Sequence, residues 1–222
     1  MKKVCINILG TPFTYEDEIE DISVKTNSPI TVEEGLDLLC KTKELFSCIN
    51  LDFYLAYGTL LGAIREKTII PGDEDVDVFI DDESKLYNNL PYLYNNNYKV
   101  CRIMPGKLYS FRVNENAYID VYILRPFKHA IWKYYCYSLS NHATPKKYFK
   151  EYQDIQFLGS TFRCPKNPEK LIEFWYGKDW MNPKPGKKYY YEVPSAHYWH
   201  KFRYKISPLI KKMIGWNFWH KK

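Results

Sequence analysis

The sequence predicts an α+β domain, a mixed β-sheet with helices against it, and three observations carry that expectation. Residues 31–50 have helical spacing behind a capping signal. Asp75 to Ile80 and Tyr118 to Leu124 alternate in the period-2 manner of strands. A polar Asn114-Glu115-Asn116 turn joins the second of these to Leu108–Val113, as in a hairpin.

Taken in order, Val4 to Leu9 reads as a strand, and the acidic stretch from there to about Pro29 has no clear period. Thr31-Val32-Glu33-Glu34 is a capping box, in which the Thr side chain accepts from the backbone three residues on while Glu34 reaches back. Leu36, Leu39, Leu45, Phe46 and Ile49 then recur at helical spacing to about Asn50. Asp52 to Tyr57 is strand-like and ends at Gly58; Thr59 to Glu66 reads as a short helix leaving that glycine. Pro71-Gly72 makes a turn, Glu83 to Asn95 a further helix, and Tyr98 to Met104 a strand. From Arg125 onward prolines and aromatics dominate, and only Glu169 to Tyr176 reads as a helix. We therefore expect a core over 1–125 and an irregular C-terminal lobe over 126–222, with a soft boundary that also allows one domain.

A chain of 222 residues can bury one substantial core, and 45% hydrophobic with 26% charged residues is the balance of a globular protein. The net charge of +6 suits a polyanionic ligand but is too weak to imply nucleic acid, so no nucleic-acid partner is expected. Six scattered cysteines with no C-x-x-C pair argue against a zinc site and a disulfide scaffold. Isolated thiols, an opening too short for a signal peptide and no membrane-spanning apolar run together give a cytoplasmic expectation.

The chemistry lies in an ordered set: Gly58-Thr59, then Asp75-Val76-Asp77, then Ile119-Asp120-Val121. Alternate side chains of a strand share a face, so Asp75 and Asp77 project together while Val76, Val78 and Ile80 enter the core. Two carboxylates held so close repel, and keeping both ionised needs a cation between them. Oxygen-only ligands select a hard cation, Mg²⁺ or Mn²⁺. Asp120, in the same kind of alternation, would bring a third carboxylate from a neighbouring strand. A glycine at a strand-to-helix turn lets a phosphate approach the backbone, and Arg65, about two turns on, could add a cation for donor phosphates. Arg112 lies on the hairpin strand before Asp120 and could face the same site, whereas Asp73 and Glu74 read as acids in a tight turn that orient or cap the loop, with contact to the surroundings of the metal left open.

These residues resemble a known family. The run Tyr57-Gly58-Thr59-Leu60-Leu61-Gly62-Ala63-Ile64-Arg65, followed by Ile69-Ile70-Pro71-Gly72-Asp73-Glu74-Asp75-Val76-Asp77-Val78, is similar to the LicD / fukutin-related pattern. The later segments 157–165 and 171–180, ending in Tyr176-Gly177, resemble the family's closing segment, so the likeness runs over roughly 33–185. Gly72 departs from it, standing where the family usually has Trp. The resemblance implies a nucleotidyltransferase fold and transfer of a phospho-substituent, such as phosphocholine or a polyol phosphate, from a CDP-linked donor onto a carbohydrate or glycoconjugate hydroxyl. It implies Mg²⁺ on Asp75, Asp77 and Asp120, and places Gly58, Thr59 and Arg65 against the donor phosphates.

Two other readings stay open at this level: transfer of AMP or UMP itself onto a protein, sugar phosphate or RNA, and a degenerate module that only binds nucleotide or glycan. Residues 197–222 interleave Lys and Arg with Trp and Phe. We read them as a helix that packs its aromatics and hydrates its lysines, with peripheral membrane contact as the alternative.

Overall fold

The capping box closes as the sequence predicts. In this computed structural model, Thr31 N–H donates to Glu34 Oε2 at 2.8 Å and Glu34 N–H to Thr31 Oγ1 at 3.1 Å, starting the helix Val32–Cys48 (α1). The structure describes residues 2–18, 29–113, 117–126, 136–139 and 142–183, so the basic-aromatic stretch 197–222 lies outside the described residues. Leu38, Leu39, Leu45 and Phe46 line the buried face of α1, each worth about 1.5–3 kcal/mol of burial.

The central sheet has five strands: Tyr54–Leu55 (β3), Asp75–Ile80 (β4), Lys99–Met104 (β5), Leu108–Arg112 (β6) and Tyr118–Ile123 (β7). Their order is β3-β4-β7-β6-β5, and only the central β4–β7 pair is parallel. That pair is nearly continuous in buried residues, as a strand covered on both sides must be. Val76, Val78, Ile80, Ile119, Val121 and Phe111 point to one side, where Phe111 stacks on Tyr98 with ring centroids 4.6 Å apart and Tyr98 meets Phe46 of α1. The Tyr98 hydroxyl is satisfied there by Thr42 Oγ1 at 2.7 Å. Asp75, Asp77, Asp120 and Ser110 point to the opposite side.

Several elements differ from the expectation. The acidic stretch that showed no period contains a strand, Thr11–Asp17 (β2), paired with Lys2–Ile8 (β1). Leu9 and Gly10 turn between them with φ of +51° and +86°, the geometry of a two-residue primed hairpin. The strand expected over 52–57 shrinks to two residues because the chain turns into the next helix at Tyr57. The helix expected over 83–95 is two, Glu83–Asn88 (α3) and Leu90–Asn95 (α4), broken at Asn89, since Pro91 has no N–H to continue the ladder and is accepted in a first turn. Beyond Pro126, strands Tyr152–Phe157 and Ser160–Pro165 form a second hairpin, with Leu158 and Gly159 at φ of +52° and +76°.

The chain groups into two compact units, Met1–Pro168 and Glu169–Lys222, and the composition change near Pro126 falls within the first. The second is described chiefly by the helix Pro168–Tyr176, which ends at Gly177 (φ +93°), whose N–H donates to the Glu173 carbonyl. No helix among the described residues is long and apolar enough to cross a membrane.

Candidate active site

Parallel pairing of β4 with β7 sets Asp77 directly beside Asp120 and Asp75 beside Tyr118. One carboxylate oxygen from each of Asp75, Asp77 and Asp120 lies within 4.8 Å of the others. The three acids predicted from alternation are therefore brought together on one face. Asp77 and Asp120 are buried, at 7% and 4% exposure, and Asp75 is partly open.

Such packing is costly for charge. Burial first, then the Asp120 and Asp73 carboxylates, pushes Asp75 up to about 8. Burial and the Asp75 and Asp120 charges hold Asp77 well above the carboxylate range, against a backbone hydrogen bond from Gly58. Burial also raises Asp120, opposed chiefly by Arg102. Among the described residues no Lys or Arg forms an ion pair with Asp75 or Asp77. A divalent cation fits this place on chemical grounds: three oxygen ligands converge, Asp75 and Asp77 form no ion pair among the described residues, and a cation would offset the burial and repulsion that raise these acids.

Gly58 and Thr59 lie in the short helix Tyr57–Leu61 (α2) that follows β3 after Ala56, and both are bonded to Asp77. Gly58 N–H donates to Asp77 Oδ2 at 3.1 Å, and Asp77 N–H donates to Thr59 Oγ1 at 2.8 Å. Ala56 N–H adds a bond to the Asp77 carbonyl at 3.0 Å. This closed loop of bonds fixes one acid from both sides. A Cβ at position 58 would lie 3.0 Å from Asp73 Oδ2 and 3.4 Å from Asp77 Oδ2, so glycine is what admits the carboxylates. Tyr57 enters the turn at φ +36° and anchors it, its hydroxyl donating to the Leu139 carbonyl at 2.9 Å.

Arg65 lies in a π-helical turn, Gly62–Glu66, with its side chain 8% exposed and its Nε 2.6 Å from Glu66 Oε1. Its charge acts on Asp73, whose carboxyl burial lifts to about 6. Asp73 reaches Gly58 beside the triad and faces the acids more closely than a loop-orienting acid need do. Arg112 is on the triad's side of the sheet, where its Nε meets Glu18 Oε2 at 2.8 Å and its guanidinium lies over Tyr118, 5.8 Å from the ring centre. Gly72, at φ +97° with open space around it, turns the chain into the acidic loop; Asp73 N–H closes the turn on the Ile70 carbonyl at 3.0 Å.

Sequence reasoning missed Arg102. Its Nη2 donates to both oxygens of Asp120 at 2.7 Å each, and its Nε donates to Ser110 Oγ at 2.8 Å. The Ser110 hydroxyl also donates to Asp120 Oδ1. Arg102 faces the site because a β-bulge lies between Val100 and Arg102: Val100 pairs with Phe111, yet Arg102 pairs with Ser110. The trace of the bulge is structural, Val100 and Cys101 both being buried before Arg102, and the sequence alone carries no signal of it.

A family model for the LicD/FKTN/FKRP nucleotidyltransferase domain matches residues 50–167, more than half of the chain and every acid of the triad. The chain belongs to that family. It is similar to an uncharacterized protein of Rickettsia typhi (strain ATCC VR-144 / Wilmington), 31% identical over 130 residues, with 55% of this chain and 40% of the relative covered. A Rickettsia prowazekii (strain Madrid E) protein is also 31% identical, over 97 residues, 39% of this chain and 36% of the relative. The LicD chain thus spans about two fifths of the length of the curated relatives it matches. The solution structure of the antibiotic-resistance factor ANT(2'')-Ia matches with a TM-score of 0.50 at 13% identity, covering 83% of this chain and all (100%) of that one. That likeness shows the nucleotidyltransferase fold. The lincosamide antibiotic adenylyltransferase LnuA also matches, with a TM-score of 0.44 at 13% identity over 66% of this chain and 86% of that one.

Proposed function

We propose that this LicD-family transferase is metal-dependent and moves a phospho-substituent from a CDP-linked donor onto a glycan hydroxyl. The observation that carries the reading is the convergence of Asp75, Asp77 and Asp120 within 4.8 Å in a chain of this family. Those three residues would hold Mg²⁺ or Mn²⁺. When bound, the ion supplies neutralisation of the donor's diphosphate and of the charge that builds on the leaving oxygen.

The chain's own groups do the rest. Gly58 and Thr59 hold Asp77 in one orientation, so their service to the donor runs through that carboxylate. Arg65 and Arg112 are the candidates for further donor-phosphate contact. The acceptor oxygen forms the new P–O bond at the phosphorus bearing the transferred group, the bond to the nucleotide oxygen breaks, and CMP leaves. A carboxylate takes the hydroxyl proton. Asp120 is our candidate for it, which requires an oxygen freed from Arg102.

The test is thermal stabilisation of the purified chain by a panel of CDP-alcohols, with and without Mg²⁺, beside Asp75→Ala. A metal-dependent shift with one CDP-alcohol, lost in the variant, supports the reading and names the donor class. A shift with ATP or UTP alone would replace it with nucleotidyl transfer, and silence throughout would leave a binding module.

A further inference from the structure

Both oxygens of Asp120 accept hydrogen bonds from its neighbours. A carboxylate offers about four lone-pair positions. Arg102 takes two of them, one on each oxygen, and the Ser110 hydroxyl takes a third. A cation that uses Asp120 therefore meets a guanidinium held on both of its oxygens. Ser110 is fully buried. Arg102 is different: its side chain is 18% exposed on a flexible stem, and its positive charge is repelled by an incoming divalent ion.

We propose that Arg102 is an internal counter-ion which the metal displaces from Asp120, and whose guanidinium then binds the donor's phosphates, so that metal and donor bind cooperatively. The inference rests on the metal-dependent reading above and deepens it. The β-bulge between Val100 and Arg102 is what aims this arginine at the triad rather than into the core, and Glu18 N–H braces it by donating to the Cys101 carbonyl at 2.9 Å. Ser110 Oγ, accepting from Arg102 Nε, gives the side chain a pivot that it can keep while its Nη atoms change partner. The fork geometry that fits a carboxylate also fits a phosphate.

The experiment measures Mn²⁺ affinity of the full chain without nucleotide, then the affinity of the Mn²⁺-loaded chain for CDP and for pyrophosphate, a probe independent of the base. In Arg102→Gln we expect Mn²⁺ alone to bind more tightly, by about 10-fold, since nothing need be displaced. Binding of CDP and pyrophosphate should weaken by about the same factor. Arg102→Lys, which keeps the charge without the fork, should fall between. If Arg102→Gln does not fold, selectively labelled arginine in the wild-type chain gives the second measurement: Mg²⁺ alone must shift the guanidinium resonance of Arg102, and CDP must shift it again. Unchanged or weaker Mn²⁺ binding in Arg102→Gln, with wild-type affinity for CDP and pyrophosphate, would make Arg102 a structural strut and overturn the proposal. That outcome would leave the metal-dependent reading standing, whereas a wild-type chain that binds no Mn²⁺ would remove both.

Discussion

Asp77 is the residue on which the site turns, because three backbone or side-chain groups from 56–59 converge on it. Thr59→Val would leave the buried Asp77 N–H without its acceptor, and we expect a loss of about 1–3 kcal/mol in urea unfolding. Gly58→Ala acts differently. Its methyl meets carboxylate oxygens at 3.0 and 3.4 Å, which can rotate aside, so the expected outcome is weaker Mn²⁺ binding with little change in Tm. Equal Mn²⁺ affinity in Gly58→Ala would refute that account. The Gly-Thr pair was legible in the sequence as part of a site, but not its bonds to Asp77, because one-dimensional spacing does not show a contact with a carboxylate far along the chain.

At the scale of the element, the α2 turn and the bulge decide more than the regular strands do. A Cβ on Gly62 would lie 2.5 Å from the backbone carbonyl of Thr68, which cannot rotate away. Gly62→Ala is therefore expected to destabilise by about 1–3 kcal/mol, read as a lower urea midpoint with unchanged slope. Thr31→Ala removes the cap of α1 and should cost about 1 kcal/mol in the same measurement. The capping box was readable because it is local, a side chain bonding its own backbone three residues on. The two Leu-Gly hairpins were not readable, since Leu is an unusual occupant of positive φ and the turns lack an Asn-Gly or Asp-Gly signal. Arg102 was hidden for a related reason. An inserted residue reverses the facing of all that follows, and nothing in a lone sequence announces the insertion.

For the molecule as a whole, the acid cluster links stability, pH and metal. Asp75 has a folded-state value of about 8, above its ordinary carboxyl value of 3.8. Between those limits the folded chain binds more protons than the unfolded one, so this group's contribution is present at low pH and lost as pH rises through about 8. Without metal, Tm should therefore fall from pH 6 to pH 9 on this account. A cation binds the deprotonated acids, so Mn²⁺ should raise Tm more at pH 8 than at pH 6. Thermal unfolding in chelator and in excess Mn²⁺ at both pH values checks the sign, and a larger metal effect at the lower pH would contradict it.

The sequence by itself determined the elements and the acids, because helical spacing, caps and strand alternation are local properties: α1, β4 and β7 lie close to where periodicity puts them, with Asp75 and Asp77 on one face. Only the tertiary structure decided that β4 and β7 pair in parallel with Asp77 beside Asp120, that Gly58 and Thr59 serve Asp77, and that Arg102 holds Asp120. Those are contacts between residues far apart in the chain, set by strand register and by one bulge, and register follows from packing the whole sheet rather than from any segment within it.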